Sequence, residues 1–221
     1  MGTDWASIAS FATAGGTLVL GVATFVSVRS ANRMARTAER ALQVNERALQ
    51  INLRPLLVPS RTEDTSQKIR WADDHWARLA GSAATVEFVD GNIYLAISLR
   101  NVGSGIAVIH GWWASIDPLV VASGHAGLEQ FRMQTRDLYL PTGDASFWQG
   151  VIRDSSDPDY AGLTKVIKDS QPFTIELLYG DHEGGQRTIT GFGIIPRQDG
   201  EEVRWIPSAG RHWNLDRPDP R

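Results

Sequence analysis

Residues 5–28 read WASIASFATAGGTLVLGVATFVSV, an uncharged run of 24 residues set between Asp4 and Arg29. As a helix rising about 1.5 Å per residue it would reach roughly 36 Å, enough to cross a hydrocarbon core of about 30 Å with some tilt. A secretory leader needs basic residues ahead of its apolar core. Met1, Gly2, Thr3 and Asp4 supply none. A buried helix of a water-soluble domain is the other alternative, because Gly15, Gly16 and Gly21 weaken the helix and Ser and Thr are frequent. Core helices, however, seldom run this far without a charge. Residues 1–28 are therefore read as a transmembrane anchor, with Trp5 suited to the outer interface.

Orientation follows from arginine asymmetry. Arg29, Arg33, Arg36 and Arg40 crowd the C-terminal flank of the run and none precedes it. The positive-inside rule then places the N-terminus outside and the rest of the chain in the cytoplasm of a single-pass plasma-membrane protein. The absence of cysteine removes disulfides and thiolate chemistry and fits that compartment. Residues 29–54 carry a charge of +4 and the remainder up to Arg221 carries −6. A basic collar beside an acidic body points to anionic lipid headgroups at Arg29, Arg33, Arg36 and Arg40. It gives nucleic acid no basic, aromatic-rich surface to bind.

Residues 29–53 lack Gly and Pro and read as a continuous juxtamembrane helix. They contain a seven-residue repeat, ERALQVN over 39–45 and ERALQIN over 46–52. At 100° per residue the arginines form one stripe. Ala38, Asn45 and Asn52 then fall at heptad position a, and Met34, Ala41 and Ala48 at position d. Asn at a is a device for fixing register and oligomeric state. Ala38, Ala41, Asn45, Ala48 and Asn52 thus form a candidate self-association face, making a homodimer through residues 34–52. The alternative is a stalk helix resting on its own domain or on the bilayer, since Ala is a weak knob.

Pro55 stops the helix because it lacks an amide hydrogen. Residues 54–221 then read as one antiparallel Ig-like β-sandwich, so the chain as a whole is mainly β. A first strand covers 53–59. Residues 60–85 read as a long loop, with a short helix over 71–79. From residue 86 the hydrophobic period is two. Strands are expected over 86–89, 93–99, 106–116, 131–140, 145–152, 173–179, 186–195 and 203–206, with a hairpin turn at Asp90-Gly91. Residues 157–168 are expected to form a helix capped by Asp157 with Pro158 in its first turn.

Several local patterns carry a resemblance. The helix ends in Arg54-Pro55 before a strand, residues 101–107 read NVGSGIA, a hairpin passes through Tyr179-Gly180-Asp181 and Thr188, and residues 213–218 read WNLDRP. In these the chain resembles a loose group of uncharacterised bacterial, often actinobacterial, single-pass membrane proteins with an Ig-like sandwich after the anchor. The resemblance implies that architecture and no activity.

The chemistry-bearing residues are sparse. His75, His110, His125, His182 and His212 are the five histidines. Only Asp73-Asp74-His75 and Asp181-His182-Glu183 mix His with carboxylates, and neighbours in one turn seldom face one ion. There is no nucleophile elbow, no His-Glu-x-x-His and no Walker loop. Gly103-Ser104-Gly105 is too short to cradle phosphate and precedes a strand. No catalytic, cofactor-binding or metal residues are therefore assigned. Trp112 and Trp113 must point to opposite faces of a strand, so one of them could anchor a protein partner; the favoured alternative is that both are covered, by the core and by the 60–85 loop. These readings favour a membrane-anchored, non-catalytic protein-binding or scaffolding module. A membrane-tethered hydrolase using residues of 60–85 and 180–185, and a pilin-like subunit, are the alternatives.

Overall fold

The computed structural model describes residues 5–117, 124–200 and 202–217, with the side chains of 5–14, 17, 19, 47 and 50–52 outside the description. Two compact units, residues 1–49 and 50–221, divide the chain.

The first unit is built on α1 (Trp5–Asn52), 48 residues without interruption. The apolar run and the arginine-rich stretch after it are thus parts of one helix. Leu18, Leu20, Val22, Phe25, Val26 and Val28 are each more than half exposed. Arg29, Arg33, Arg36 and Arg40 are exposed, as are Ala38, Ala41, Asn45 and Ala48. Asn52, the last of the expected self-association residues, has its side chain outside the described set.

The helix is not shown to be transmembrane. Among the described residues no helix is long and apolar enough to cross a membrane. The densest apolar stretch, residues 18–28, covers only about 16 Å of helix against a hydrocarbon core of about 30 Å. Ahead of it come Gly15, Gly16 and Thr17, and the side chains of 5–14 lie outside the description.

The second unit is antiparallel and rich in β structure. Its strands are β1 (Leu57–Pro59), β2 (Gln67–Arg70), β3 (Trp76–Leu79), β4 (Ala84–Val89), β5 (Asn92–Asn101), β6 (Ala107–Ser115), β7 (Arg132–Leu140), β8 (Ala145–Ile152), β9 (Phe173–Asp181), β10 (Thr188–Asp199) and β11 (Glu202–Asn214), with α2 (Tyr160–Lys168) between β8 and β9. Nine strands share one ladder, in the order β1-β5-β4-β11-β10-β9-β6-β7, and β8 pairs with β5. Strands β2 and β3 form a separate hairpin. Strand β5 carries β4 opposite residues 92–97 and β1 opposite 99–101, with β8 along 93–100.

One face of this sheet holds the main core. Ile93, Leu95, Ile97 and Leu99 of β5 meet Trp112 of β6, Trp148 of β8, Ile175, Leu177 and Tyr179 of β9, and Phe192 and Ile194 of β10. The other face is covered in two places. Ile69, Trp71 and Leu79 of the hairpin pack on Tyr94 and Ala96 of β5. Ala126 and Phe131 pack with Trp213 on Leu178 and Ile189. Both faces of β9 are consequently buried along its whole length. That is why its sequence is apolar on one face and yet bears the enclosed Thr174 and Glu176 on the other.

Asn101 organises the start of the body. Its Oδ1 accepts from the Leu56 and Gly103 amides at 3.1 and 3.0 Å. Its Nδ2 donates to the carbonyls of Gly105 and Leu140 at 2.7 and 2.9 Å. All four hydrogen-bonding sites of a fully buried amide are thus used. The glycines after it serve close approach: a Cβ on Gly105 would sit 1.7 Å from the Leu53 carbonyl oxygen.

Three further local expectations change. The stretch 71–79 is not a helix: it is the turn of the β2–β3 hairpin followed by β3, with Asp74 at φ 63. The last strand extends far beyond 203–206, to Asn214. Helix α2 begins after Asp159, not Asp157. The Asp157 carboxylate instead accepts the Asp159 amide at 2.9 Å and binds Arg132. The loop expected around 122–127 lies partly outside the described residues.

Candidate functional site

Strands β7 and β8 follow one another through the turn at 141–144, which is fixed to Asn101: the Gly143 amide donates to its carbonyl at 2.8 Å and its own amide donates to Asp144 at 3.2 Å. Consecutive antiparallel strands joined by so short a turn ordinarily form a hairpin. Here β7 pairs with β6 and β8 with β5, and no ladder joins β7 to β8 among the described residues. Their partners β5 and β6 lie toward opposite ends of the strand order, and the register of β7 on β6 is irregular. Leu138 faces Ile109, yet Met133 already faces Gly111, so residues 134–137 stand opposite His110 alone. This wide bulge carries β7 off its course.

The two strands therefore splay, and a cleft of about 280 Å³ opens between residues 132–138 of one and 149–153 of the other. Trp112 lies at its base, 4% exposed, in edge contact with Trp148 at a centroid distance of 5.2 Å. Such a contact contributes about 0.5–1.5 kcal/mol beyond area burial. Gly150 is required above these rings, since a Cβ there would lie 2.7 Å from Trp148 Cζ2 and 3.0 Å from Trp112 Cε2. The Trp71 indole reaches in from the β2–β3 hairpin and donates to the Gly150 carbonyl at 3.0 Å.

Three arginines line the cleft, and no carboxylate does. Arg132 lies 5.0 Å above the Trp112 ring. Its Nε and Nη2 donate to Asp157 at 3.2 and 2.6 Å, and Nη2 also to Asp159 at 2.7 Å. Burial works against its charge, but the two aspartates more than offset this and raise its pKa. Its Nη1 is buried with no hydrogen-bond partner among the described residues. Arg153 donates to Asp73 at 2.9 Å, and Tyr94 Oη donates to the same carboxylate oxygen at 2.8 Å. Burial raises the pKa of Asp73, yet these hydrogen bonds outweigh it and bring it down to about 2. Arg136, on the bulge, is exposed and has no ion-pair partner among the described residues.

Two residues of the lining, Arg132 through Nη1 and Gln149 through Oε1, carry a buried polar atom without a partner among the described residues. Gln134 Nε2 stretches 3.5 Å to the Gln149 carbonyl. Buried polar groups are normally satisfied; the Gln149 amide meets only part of that demand, through Nε2, which donates to the Arg70 carbonyl at 3.4 Å.

Of the residues expected to act, Trp112 cannot anchor a partner as expected, because it is enclosed in the core. Trp113 is half-buried beside Phe131 and Trp213 on the opposite face. The histidines are dispersed. His75 binds Glu87 at 2.7 Å and stacks on Tyr94, His125 contacts the Ala126 carbonyl, and His182 lies 3.3 Å from its neighbour Glu183. His212 is hydrogen-bonded to Thr190 at 2.7 Å, and Thr190 to Tyr179 at 2.8 Å. No group of three His, Asp or Glu residues suited to a metal occurs among the described residues. Sequence reasoning missed Arg132, Arg136, Arg153 and Gln149, which no motif joins.

No protein-family model matches this chain, and no curated protein matches it. Among solved structures it is similar to a protein from Archaeoglobus fulgidus known from its crystal structure, at 8% identity and a TM-score of 0.22, over 71% of this chain and 98% of the other. A likeness at that level carries no argument about fold or function.

Proposed function

We propose that this protein is a single-pass, membrane-anchored binding module without catalytic activity, whose body is an Ig-like β-sandwich that receives a protein partner at the β7–β8 cleft. The observation that carries the reading is the cleft itself, an opening between β7 and β8 lined by Arg132, Arg136 and Arg153.

The anchor rests on the uncharged run of 5–28 and on the exposed apolar side chains of α1, for which lipid is the natural cover. Arg29, Arg33, Arg36 and Arg40 follow at once and suit the headgroups of a cytoplasmic leaflet. The body then stands on the cytoplasmic side. Ala38, Ala41, Asn45 and Ala48 are left open for pairing with a second copy. The hydrolase alternative finds no support in the scattered histidines.

The test is a photo-crosslinking residue at Met133, on the cleft's rim, in membranes carrying the full-length protein, with the exposed Val203 as control. The reading expects a discrete protein adduct from position 133 that position 203 does not give. No adduct, or the same adduct at both positions, contradicts it.

A further inference from the structure

We infer that the arginine-rich half of α1 packs side by side with the same segment of at least two further copies, so that the chain assembles as a parallel bundle of three or more. This rests on the reading of α1 as a membrane anchor and sets how many copies its open face takes.

The width of the apolar face decides the number. With Met34 as the centre line and about 100° per residue, Ala38, Ala41, Asn45 and Ala48 fall within about 40° of it. Leu42 and Leu49 lie about 80° and 60° to one side, and Val44 about 80° to the other. Met34, Leu42, Val44 and Leu49 are each more than 60% exposed. The apolar arc is thus about 160° wide, against the narrower seam of a strict two-stranded coiled coil. Two helices meeting along Ala38, Ala41 and Ala48 would leave Leu42 and Val44 largely in water. In a closed ring each helix buries one flank against each of two neighbours.

Charge fixes how the flanks meet. Beyond Leu42 the border of the face is acidic, with Glu46 and Glu39 about 120° and 140° from the centre line. Beyond Val44 it is basic, with Arg33 and Arg40 about 100° and 120° away. All four are exposed. A parallel ring sets the Leu42 flank of one copy against the Val44 flank of the next, and so the acidic border of each against the basic border of its neighbour. Glu39 and Arg40 differ in height by about 1.5 Å, so they stand level across that contact. Copies held in one bilayer by the same anchor run parallel. Asn45, about 20° from the centre line, then meets its counterparts near the bundle axis, where its amide both donates and accepts and fixes register.

Other copies are a better cover for this face than lipid. Helix α1 is uninterrupted from Trp5 to Asn52, and residues 29–52 hold no Gly or Pro at which a helix ordinarily bends. With the apolar run in the bilayer, this stretch stands out about 36 Å beyond it instead of lying along the surface. Laid flat, it would press its acidic border on anionic headgroups. The bundle gathers several β bodies on one membrane patch, which gives a multivalent partner an avidity that one body lacks.

The chain contains no cysteine, so introduced thiols report their own contacts. Leu42→Cys combined with Val44→Cys, oxidised in membranes from cells expressing the full-length chain, tests the ring. Thiols two residues apart on a helix do not face each other, so each copy offers one to each neighbour, and covalent trimers or larger species are expected. Arg36→Cys combined with Gln43→Cys, on the opposite side of the helix, should stay monomeric. Glu39→Arg should lower the trimer yield about threefold or more, the scale of a surface ion pair turned to repulsion. Adding Arg40→Glu to it should restore the yield. Dimers without larger species, no crosslinking, an equal ladder from the Arg36 and Gln43 positions, or no effect of Glu39→Arg would overturn the inference. Carbonate extraction of the same membranes separates the premise. A chain that stays in the pellet but stops at dimers loses the ring and keeps the anchor, whereas a ladder formed by a chain in the supernatant keeps the ring and removes the anchor.

Discussion

The indole of Trp71 donates to the carbonyl of Gly150 across 79 residues of sequence, at 3.0 Å. With the bonds from Gln67 to the Ala145 carbonyl and from Gln149 to the Arg70 carbonyl, it ties the β2–β3 hairpin to β8 and sets one wall of the cleft. Trp71→Phe keeps an aromatic ring against Tyr94 and His75 but leaves the Gly150 oxygen without this donor. The expected loss is about 1–3 kcal/mol, read from urea unfolding. A variant as stable as the parent would show that the bond contributes nothing.

Gly150→Ala places a methyl group on the Trp112–Trp148 pair, at a contact shorter than van der Waals distance. Rings must shift or β8 must move outward. A destabilisation of about 1–3 kcal/mol is expected, with a change in near-ultraviolet circular dichroism because the two indoles move. Unchanged spectra and stability would contradict the packing described.

Asn101→Asp preserves shape while turning two donors into a charge. The carbonyls of Gly105 and Leu140 would face a carboxylate in a fully buried place. A loss of about 3 kcal/mol or more is expected at neutral pH, since an unpaired charge is enclosed. The loss should shrink on acidification, because protonation removes that charge. Equal losses at pH 4 and pH 7 would point to geometry alone.

Glu176 is enclosed on the outer face of β9, and its Oε2 accepts the Ala126 amide at 2.9 Å. Burial raises its pKa, with the Ala126 amide and His125 opposing. A carboxyl whose pKa is higher folded than unfolded favours folding below the unfolded value, and that advantage is lost as pH rises through the folded value. Glu176→Gln should therefore melt higher than the parent at pH 7, and the difference should disappear below about pH 4. A parent protein more stable than the variant at pH 7 would reverse the sign and refute the assignment.

Legibility in the sequence tracked local pattern. The period of two across 92–101 and the Asp90-Gly91 turn are local, and β5 and its two-residue connection form as expected, with φ of 48 and 79 at the turn. The β2–β3 hairpin escaped because its strands are four residues each, too short to display a period. The end of β11 escaped because Pro207, Ser208, Ala209 and Gly210 break the alternation. The cleft was not legible at all. It depends on a register change opposite His110 and on Arg132 meeting Asp157 and Asp159, 25 and 27 residues away. Trp112 and Trp113 were singled out for the exposure one of two adjacent tryptophans could have, whereas Trp112 projects into the main core and packs on Trp148.

The central claim is that α1 holds this β body at a membrane, and alkaline carbonate extraction of membranes from cells expressing the untagged full-length chain tests it most directly. The account predicts that the protein stays in the membrane pellet and is released by detergent. Recovery in the carbonate supernatant would contradict it.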